Sequence, residues 1–130
     1  MGLIVVSNRV TTGGPGEKAA GGVAVALSES LRRIGGTWIG WSGQTSEDHV
    51  NAVQRSEADG VAYALIDLTQ QDYDEYYAGF ANRALWPVMH YRLGLTAFSR
   101  SDFEGYLRVN AAIARQVVTE AAPGDLVWVH

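Results

Sequence analysis

Apolar positions change period several times along the chain, and each change marks an element. Leu3-Ile4-Val5-Val6-Ser7 is a short β-branched apolar run, the pattern of a strand buried on both faces. Thr11 to Gly16 is a Thr/Gly/Pro cluster and predicts a loop. From Gly22 to Ile34 the residues Val23, Ala26, Leu27, Leu31 and Ile34 recur at helical spacing. Arg32 and Arg33 complement the dipole in the last turn of that helix, and Gly35-Gly36 stop it. Thr37 to Trp41 predicts a second strand ending at a Ser42-Gly43 turn. Ser42 to Gly60 is polar and weakly patterned, with one short apolar beat at Val50 and Val53, and Val61 to Ile66 predicts a third strand. Asp72 to Tyr91 is dense in aromatics and predicts one or two short helices broken near Pro87. Ser101, with Glu104 three residues on, fits a capping box opening a long helix. Its stripe is Phe103, Tyr106, Leu107, Asn110, Ile113, Ala114, Val117 and Val118. Pro123-Gly124 ends it, and Asp125 to His130 predicts a last strand.

Strands alternating with helices over crossovers of a dozen or more residues imply a parallel, doubly wound α/β sheet. Ligands in such sheets gather at the carboxyl ends of the strands. The chain stops at one of those ends, at His130, with no helix after it, so the expectation is one partial domain over residues 1–130.

Composition narrows the class. The 130 residues are 47% hydrophobic and 18% charged with net charge −4, which excludes intrinsic disorder. No apolar run approaches the roughly 20 residues a membrane span needs, and Met1-Gly2-Leu3 lacks the basic start of a signal peptide. With no cysteine there are no disulfides or thiolate ligands, which fits a reducing, cytoplasmic setting. The acidic balance argues against a nucleic-acid partner. Among the basic residues, Lys18 is the sole lysine beside nine arginines, a bias that favours bidentate anion sites and that a GC-rich genome would also produce.

Glycine, at 15 residues, matters through its placement. The first strand ends in Ser7-Asn8-Arg9, followed by Gly13, Gly14, Gly16, Gly21 and Gly22 and then a helix. Glycines let backbone approach a ligand, a helix N-terminus attracts phosphate, and Arg9 adds a bidentate cation. Neither the dinucleotide nor the P-loop glycine fingerprint is present, and a solvated Arg9 beside a plain glycine loop remains the simpler alternative. Gly40-Trp41-Ser42-Gly43-Gln44 nearly spells a nucleophile elbow, but Gln44 replaces the last glycine and no histidine is placed to serve as base, which favours Ser42 as a turn hydroxyl. His49, His90 and His130 show no metal-ligand spacing. Tyr76, Tyr77, Trp86 and Tyr91 could stack on a sugar ring or simply fill the core. Asp72, Asp74 and Glu75 read as dipole-stabilised residues at a helix start.

Several motifs occur in one collinear series: Val5-Val6-Ser7-Asn8-Arg9, Gly21-Gly22-Val23-Ala24, Gly40-Trp41-Ser42-Gly43, Asp74-Glu75-Tyr76-Tyr77 and Leu85-Trp86-Pro87. His90-Tyr91-Arg92, Gly105-Tyr106-Leu107-Arg108-Val109-Asn110 and Val127-Trp128-Val129-His130 complete it. This series resembles the N-terminal part of the trehalose-6-phosphate synthases. The resemblance implies a retaining glucosyltransferase of the two-Rossmann-domain, GT-B type, moving glucose from a nucleotide sugar, commonly UDP-glucose, to glucose 6-phosphate, with no metal or other cofactor. The fold implied is α/β, Rossmann-like and mainly parallel, an incomplete N-terminal, acceptor-side domain whose C-terminal nucleotide-sugar domain is a missing partner.

Carried over residue by residue, the resemblance gives Arg9, Tyr77 and Trp86 to the acceptor, Arg9 holding its phosphate. Gly21 and Gly22 go to the donor; Trp41, Tyr76 and His130 are secondary candidates. In the family an Asp follows the last His at once, and the leaving diphosphate is held from the second domain. No catalytic residue is therefore assignable within 1–130, and the segment alone is expected to be inactive. A homo-oligomer of the full-length protein, a phosphorylated acceptor such as glycerol phosphate, and a non-catalytic sugar-phosphate or anion-binding module stay open as alternatives.

Overall fold

The computed structural model describes residues 1–12, 22–47 and 52–130. Its elements run β1 (Leu3–Arg9), α1 (Gly22–Ile34), β2 (Gly36–Ser46), β3 (Val53–Ala58), β4 (Val61–Thr69) and α2 (Gln70–Asp72). A π-helical stretch (Tyr73–Leu85), α3 (Trp86–Met89), a 3-10 turn (Leu93–Leu95), α4 (Arg100–Glu120) and β5 (Leu126–Val129) follow. The five strands form one sheet in the order β3-β4-β2-β1-β5. β1 pairs in parallel with both β2 and β5, and β3 pairs antiparallel with β4. The expected mainly parallel α/β sheet is what forms.

The chain divides into two compact units. The first comprises Met1–Gln44, Ala52–Asp67 and Arg115–His130. Its core joins Val5, Val10, Leu27, Leu31, Trp38, Val61 and Tyr63, with Leu3 and Leu65 packed against it. Burying each such large apolar side chain contributes about 1.5–3 kcal/mol. Helix α1 has the bounds its periodicity predicts, and it stops because Gly35 turns to φ +78 while donating its N–H to the Leu31 carbonyl at 2.7 Å. At the other end of the sequence, β5 is tied to β1: the Asp125 carboxylate accepts N–H bonds from Gly2 (2.6 Å) and Ala122 (2.9 Å). Those backbone donors, Ala122 and then Gly2, hold its pKa below the usual 3.8.

Two expectations change in this unit. The second strand does not end at Ser42-Gly43; β2 continues to Ser46. The polar stretch after it contains β3, paired with β4 from Val53↔Ile66 to Ala58↔Val61. From Gln54 to Ala58 every residue of β3 is exposed, so this edge strand lacks the alternation that betrays a half-buried one.

The second unit comprises Thr45–Asn51 and Leu68–Ala114. Residues 70–89 form one unbroken helical run rather than helices separated at Pro87. The Thr69 hydroxyl caps its start, accepting the Asp72 N–H at 3.0 Å. Pro87 has no N–H for the preceding turn, and the Ala97 N–H instead donates to the Arg83 carbonyl at 2.8 Å. Helix α4 is capped by Ser99, whose hydroxyl accepts the Asp102 N–H, and not by Ser101. Glu104 pairs with Arg100 one turn back at 3.0 Å in place of the expected capping box. Phe80 fills the middle of the unit, with the rings of Phe98, Phe103 and Tyr106 at 4.7–5.7 Å. Among the described residues no helix is long and apolar enough to cross a membrane.

Candidate functional site

Arg9 is the last residue of β1, at the carboxyl edge of the sheet. The β1–β2 register slips between Ser7↔Gly40 and Arg9↔Trp41, so Asn8 is an extra residue that re-aims the strand end. The Ser7 hydroxyl, which accepts from Trp38 Nε1 at 2.9 Å, donates to the Arg9 carbonyl at 2.9 Å and pins this kink from below.

The guanidinium of Arg9 lies 5.7 Å from the centroid of the Trp41 ring, in the range of a cation–π contact. It also presses on Gly43, where an added Cβ would stand 2.7–2.8 Å from its Cζ, Nη2 and Nε. Gly43 has φ +87, so glycine is required there twice, by conformation and by space. Trp41 is itself fixed, its indole N–H donating to the Gln44 carbonyl at 2.8 Å. Among the described residues no carboxylate lies within ion-pair distance of Arg9.

Ser42 donates from Oγ to Asp67 Oδ1 at 2.5 Å and accepts the Gln44 N–H at 3.1 Å. It is a strand hydroxyl beside the kink at Gly43, not the expected turn hydroxyl, and it is committed to a carboxylate, with the geometry of a brace and not of a nucleophile. Asp67, buried to 9% exposure, accepts a second bond at Oδ2 from Gln54 Nε2 at 2.8 Å. Sequence reasoning overlooked Asp67 and Gln54. An acidic residue inside an apolar strand was the available signal, since a buried carboxylate needs partners.

The other predicted positions are dispersed. Gly22 opens α1, and among the described residues nothing lies within 4 Å of the place a Cβ would take there, while Gly21, Lys18 and His49 lie outside the described residues. In the second unit Tyr76 is a core residue, stacked at 5.9 Å on Tyr106; burial first, then Tyr106 and Tyr77, push its hydroxyl up to about 12. Tyr77 sits one turn from Tyr73, ring to ring at 5.6 Å. Trp86 is 51% exposed and stacks at 4.1 Å on His90, whose Nδ1 lies 2.7 Å from the Trp86 carbonyl. His130 ends the parallel pairing of β5, its N–H donating to Val6 O at 2.8 Å.

That second unit holds a contrasting cluster. Arg108 donates to Asp72 Oδ1 from Nε (3.1 Å) and Nη2 (2.8 Å) and to Glu75 Oε2 at 2.5 Å. Desolvation alone would raise the Glu75 carboxyl; hydrogen bonds from Gln71 and Arg108 outweigh it and hold the group below 4.5. The same carboxylates raise the Arg108 guanidinium. An open polar groove lined by Thr45, Ser46, Glu47, Thr69, Gln70 and Gln71 contains none of the predicted residues. Among the described residues no group of three or more histidine and acidic side chains could hold a metal ion.

A mainly parallel sheet flanked by helices defines a Rossmann-like α/β protein, and Arg9 lies at the strand ends where ligands of such sheets gather. The chain belongs to glycosyltransferase family 20, whose family model matches residues 8–130. The trehalose-6-phosphate synthase of Sinorhizobium fredii strain NGR234 is 47% identical over 98% of this chain, which spans 28% of that protein's length. A solved alpha,alpha-trehalose-phosphate synthase (UDP-forming) from Burkholderia xenovorans, in complex with glucose-6-phosphate, is 45% identical. It superposes on the whole chain with TM-score 0.90, the match covering 29% of its own length. A structure from E. coli bound with UDP-2-fluoro glucose is 39% identical over the whole chain and 27% of its own, with TM-score 0.84.

Proposed function

We propose that these residues are the N-terminal, acceptor-side part of a trehalose-6-phosphate synthase, a cytoplasmic retaining enzyme that transfers glucose from UDP-glucose to glucose 6-phosphate without a metal. The observation that carries this reading is the Arg9 guanidinium, held over the Trp41 ring and against Gly43 at the carboxyl edge of the sheet. A guanidinium so held, with no carboxylate at ion-pair distance among the described residues, is ready to take the bidentate bond a phosphate offers.

The chemistry asked of this part is binding and orientation. Arg9 fixes the phosphate of the acceptor, so that its anomeric hydroxyl is presented in one orientation and the entropy of aligning two sugars is spent before the transfer. The family resemblance gives Tyr77 and Trp86 to the same acceptor, and the half-exposed Trp86 ring has a face to offer a sugar. Gly22, the first residue of α1, and Gly21 before it in the sequence are proposed for the donor, where backbone N–H groups and the helix dipole favour a diphosphate. Stabilisation of the departing nucleotide is assigned to residues outside these 130.

The test is product formation by the full-length enzyme from UDP-glucose and glucose 6-phosphate, with glycerol phosphate as the competing acceptor. Trehalose 6-phosphate formed at a normal enzymatic turnover is expected. A product made from glycerol phosphate alone would overturn the acceptor assignment.

A further inference from the structure

We propose that Asp67 is a positioning residue for the acceptor's phosphate, acting through Ser42 on the kinked segment of β2 that holds Arg9; the inference rests on Arg9 being the phosphate anchor. The connection is a continuous series of hydrogen bonds within the first unit. Gln54 Nε2 donates to Asp67 Oδ2 at 2.8 Å, and Asp67 Oδ1 accepts from Ser42 Oγ at 2.5 Å. Ser42 Oγ accepts the Gln44 N–H at 3.1 Å, and the Gln44 carbonyl accepts the Trp41 indole N–H at 2.8 Å. Trp41 and Gly43, the two surfaces against which the guanidinium rests, are therefore both within the kinked stretch of β2 this series braces.

Three strands supply the brace: Gln54 from β3, Asp67 from β4, and Trp41, Ser42 and Gln44 from β2. The carboxylate is the fitting centre for it. Both its oxygens accept, so it takes one donor from each side without a choice of rotamer. Charge-assisted bonds to a buried carboxylate are also the stronger kind and resist bending. Asp67 touches no ligand itself in this arrangement; it sets where the Trp41 ring and the Gly43 backbone stand, and they set the guanidinium. A displacement of about 1 Å at a binding group is enough to cost up to 100-fold in rate.

The experiment is a cycle of variants in the full-length enzyme: Ser42→Ala and Asp67→Ala, each with Arg9 intact and with Arg9→Ala, measuring kcat and the KM for each substrate. With Arg9 intact, Ser42→Ala and Asp67→Ala should each raise the KM for glucose 6-phosphate by roughly 10-fold and leave the KM for UDP-glucose unchanged. On the Arg9→Ala background that effect should vanish. Ser42→Thr, which keeps the hydroxyl, should recover most of the loss. Equal effects on both backgrounds, or a parallel rise in both KM values, would overturn the proposal in favour of general structural support. If Asp67→Ala does not fold, Ser42→Ala at its half-buried position in β2 decides the question by the same criteria. An unchanged glucose 6-phosphate KM for Arg9→Ala alone would instead remove the phosphate anchor on which the inference stands.

Discussion

Two arginines, one in each unit, are held by opposite means. Arg108 is paired with Asp72 and Glu75, whose side chains are only 13% and 17% exposed. Arg9 is held by an aromatic face and a glycine backbone. Both arrangements order the guanidinium, but they leave it with different remaining capacity. A guanidinium paired with two carboxylates has had its charge answered within the fold. One steered by a ring face and a steric wall is ordered while its donors stay available to a phosphate. Local order in an arginine is thus no measure of its role; the nature of what orders it is.

That contrast can be broken by exchanging the losses. Arg9→Ala in the full-length enzyme should weaken glucose 6-phosphate binding by about 1.5–3 kcal/mol, the range for a lost charge-assisted bidentate contact, with the urea midpoint nearly unchanged. Arg108→Ala should do the reverse. It leaves two mostly buried carboxylates facing each other, at about 1–2 kcal/mol of stability once the half-exposed guanidinium is discounted for screening, while the affinity for glucose 6-phosphate stays put. Denaturant titration and calorimetry on both variants check the crossing.

Gly43→Ala sharpens the account of what steers Arg9. A methyl group at φ +87 costs about 1–2 kcal/mol of stability, and it would also occupy the place of the guanidinium. Affinity for the sugar phosphate should therefore fall along with the melting temperature, whereas a fall in melting temperature alone would separate Gly43 from the site.

The smallest effect concerns acid. The Glu75 carboxyl is lower in the folded protein than its ordinary 4.5, so it stabilises the fold above that value and the stabilisation fades as pH falls through the lower, folded one. Urea midpoints should decline as pH drops below 4.5, and Glu75→Gln should reduce the decline. An identical acid dependence in the variant would show that the Arg108 cluster does not set it.

Much of the fold was legible because it rests on periodicity: the β1 run and the spans of α1 and α4 follow from where apolar residues fall. The stripe expected for α4 is corrected by the structure: Phe103, Leu107, Asn110, Ala114 and Val118 are exposed. The helix buries Asp102, Gly105, Val109, Ala112 and Gln116 instead, because Asp102 pairs with Arg83 and Gln116 with Glu120. What stayed hidden depends on partners distant in sequence. β3 is an exposed edge strand, and Pro87 is tolerated because Ala97 takes up the Arg83 carbonyl. The α4 cap was missed for a local reason, since Ser99 and Ser101 both offer a hydroxyl within two residues of the start and Ser99 takes the Asp102 N–H. In the candidate site Arg9 could be singled out from its place between a strand and a glycine cluster. Asp67 offered only the signal of an acid in an apolar strand; its role comes from Ser42 and Gln54, which only the sheet brings beside it.

The central claim is that Arg9 reads the phosphate, and discrimination between ligands tests it most directly. Calorimetric titration of the full-length enzyme with glucose 6-phosphate and with glucose, for wild type and Arg9→Ala, gives four affinities. The account predicts that wild type prefers the phosphorylated sugar and that Arg9→Ala loses about 10- to 150-fold of that preference, with glucose itself bound alike by both. An unchanged preference in Arg9→Ala would contradict it.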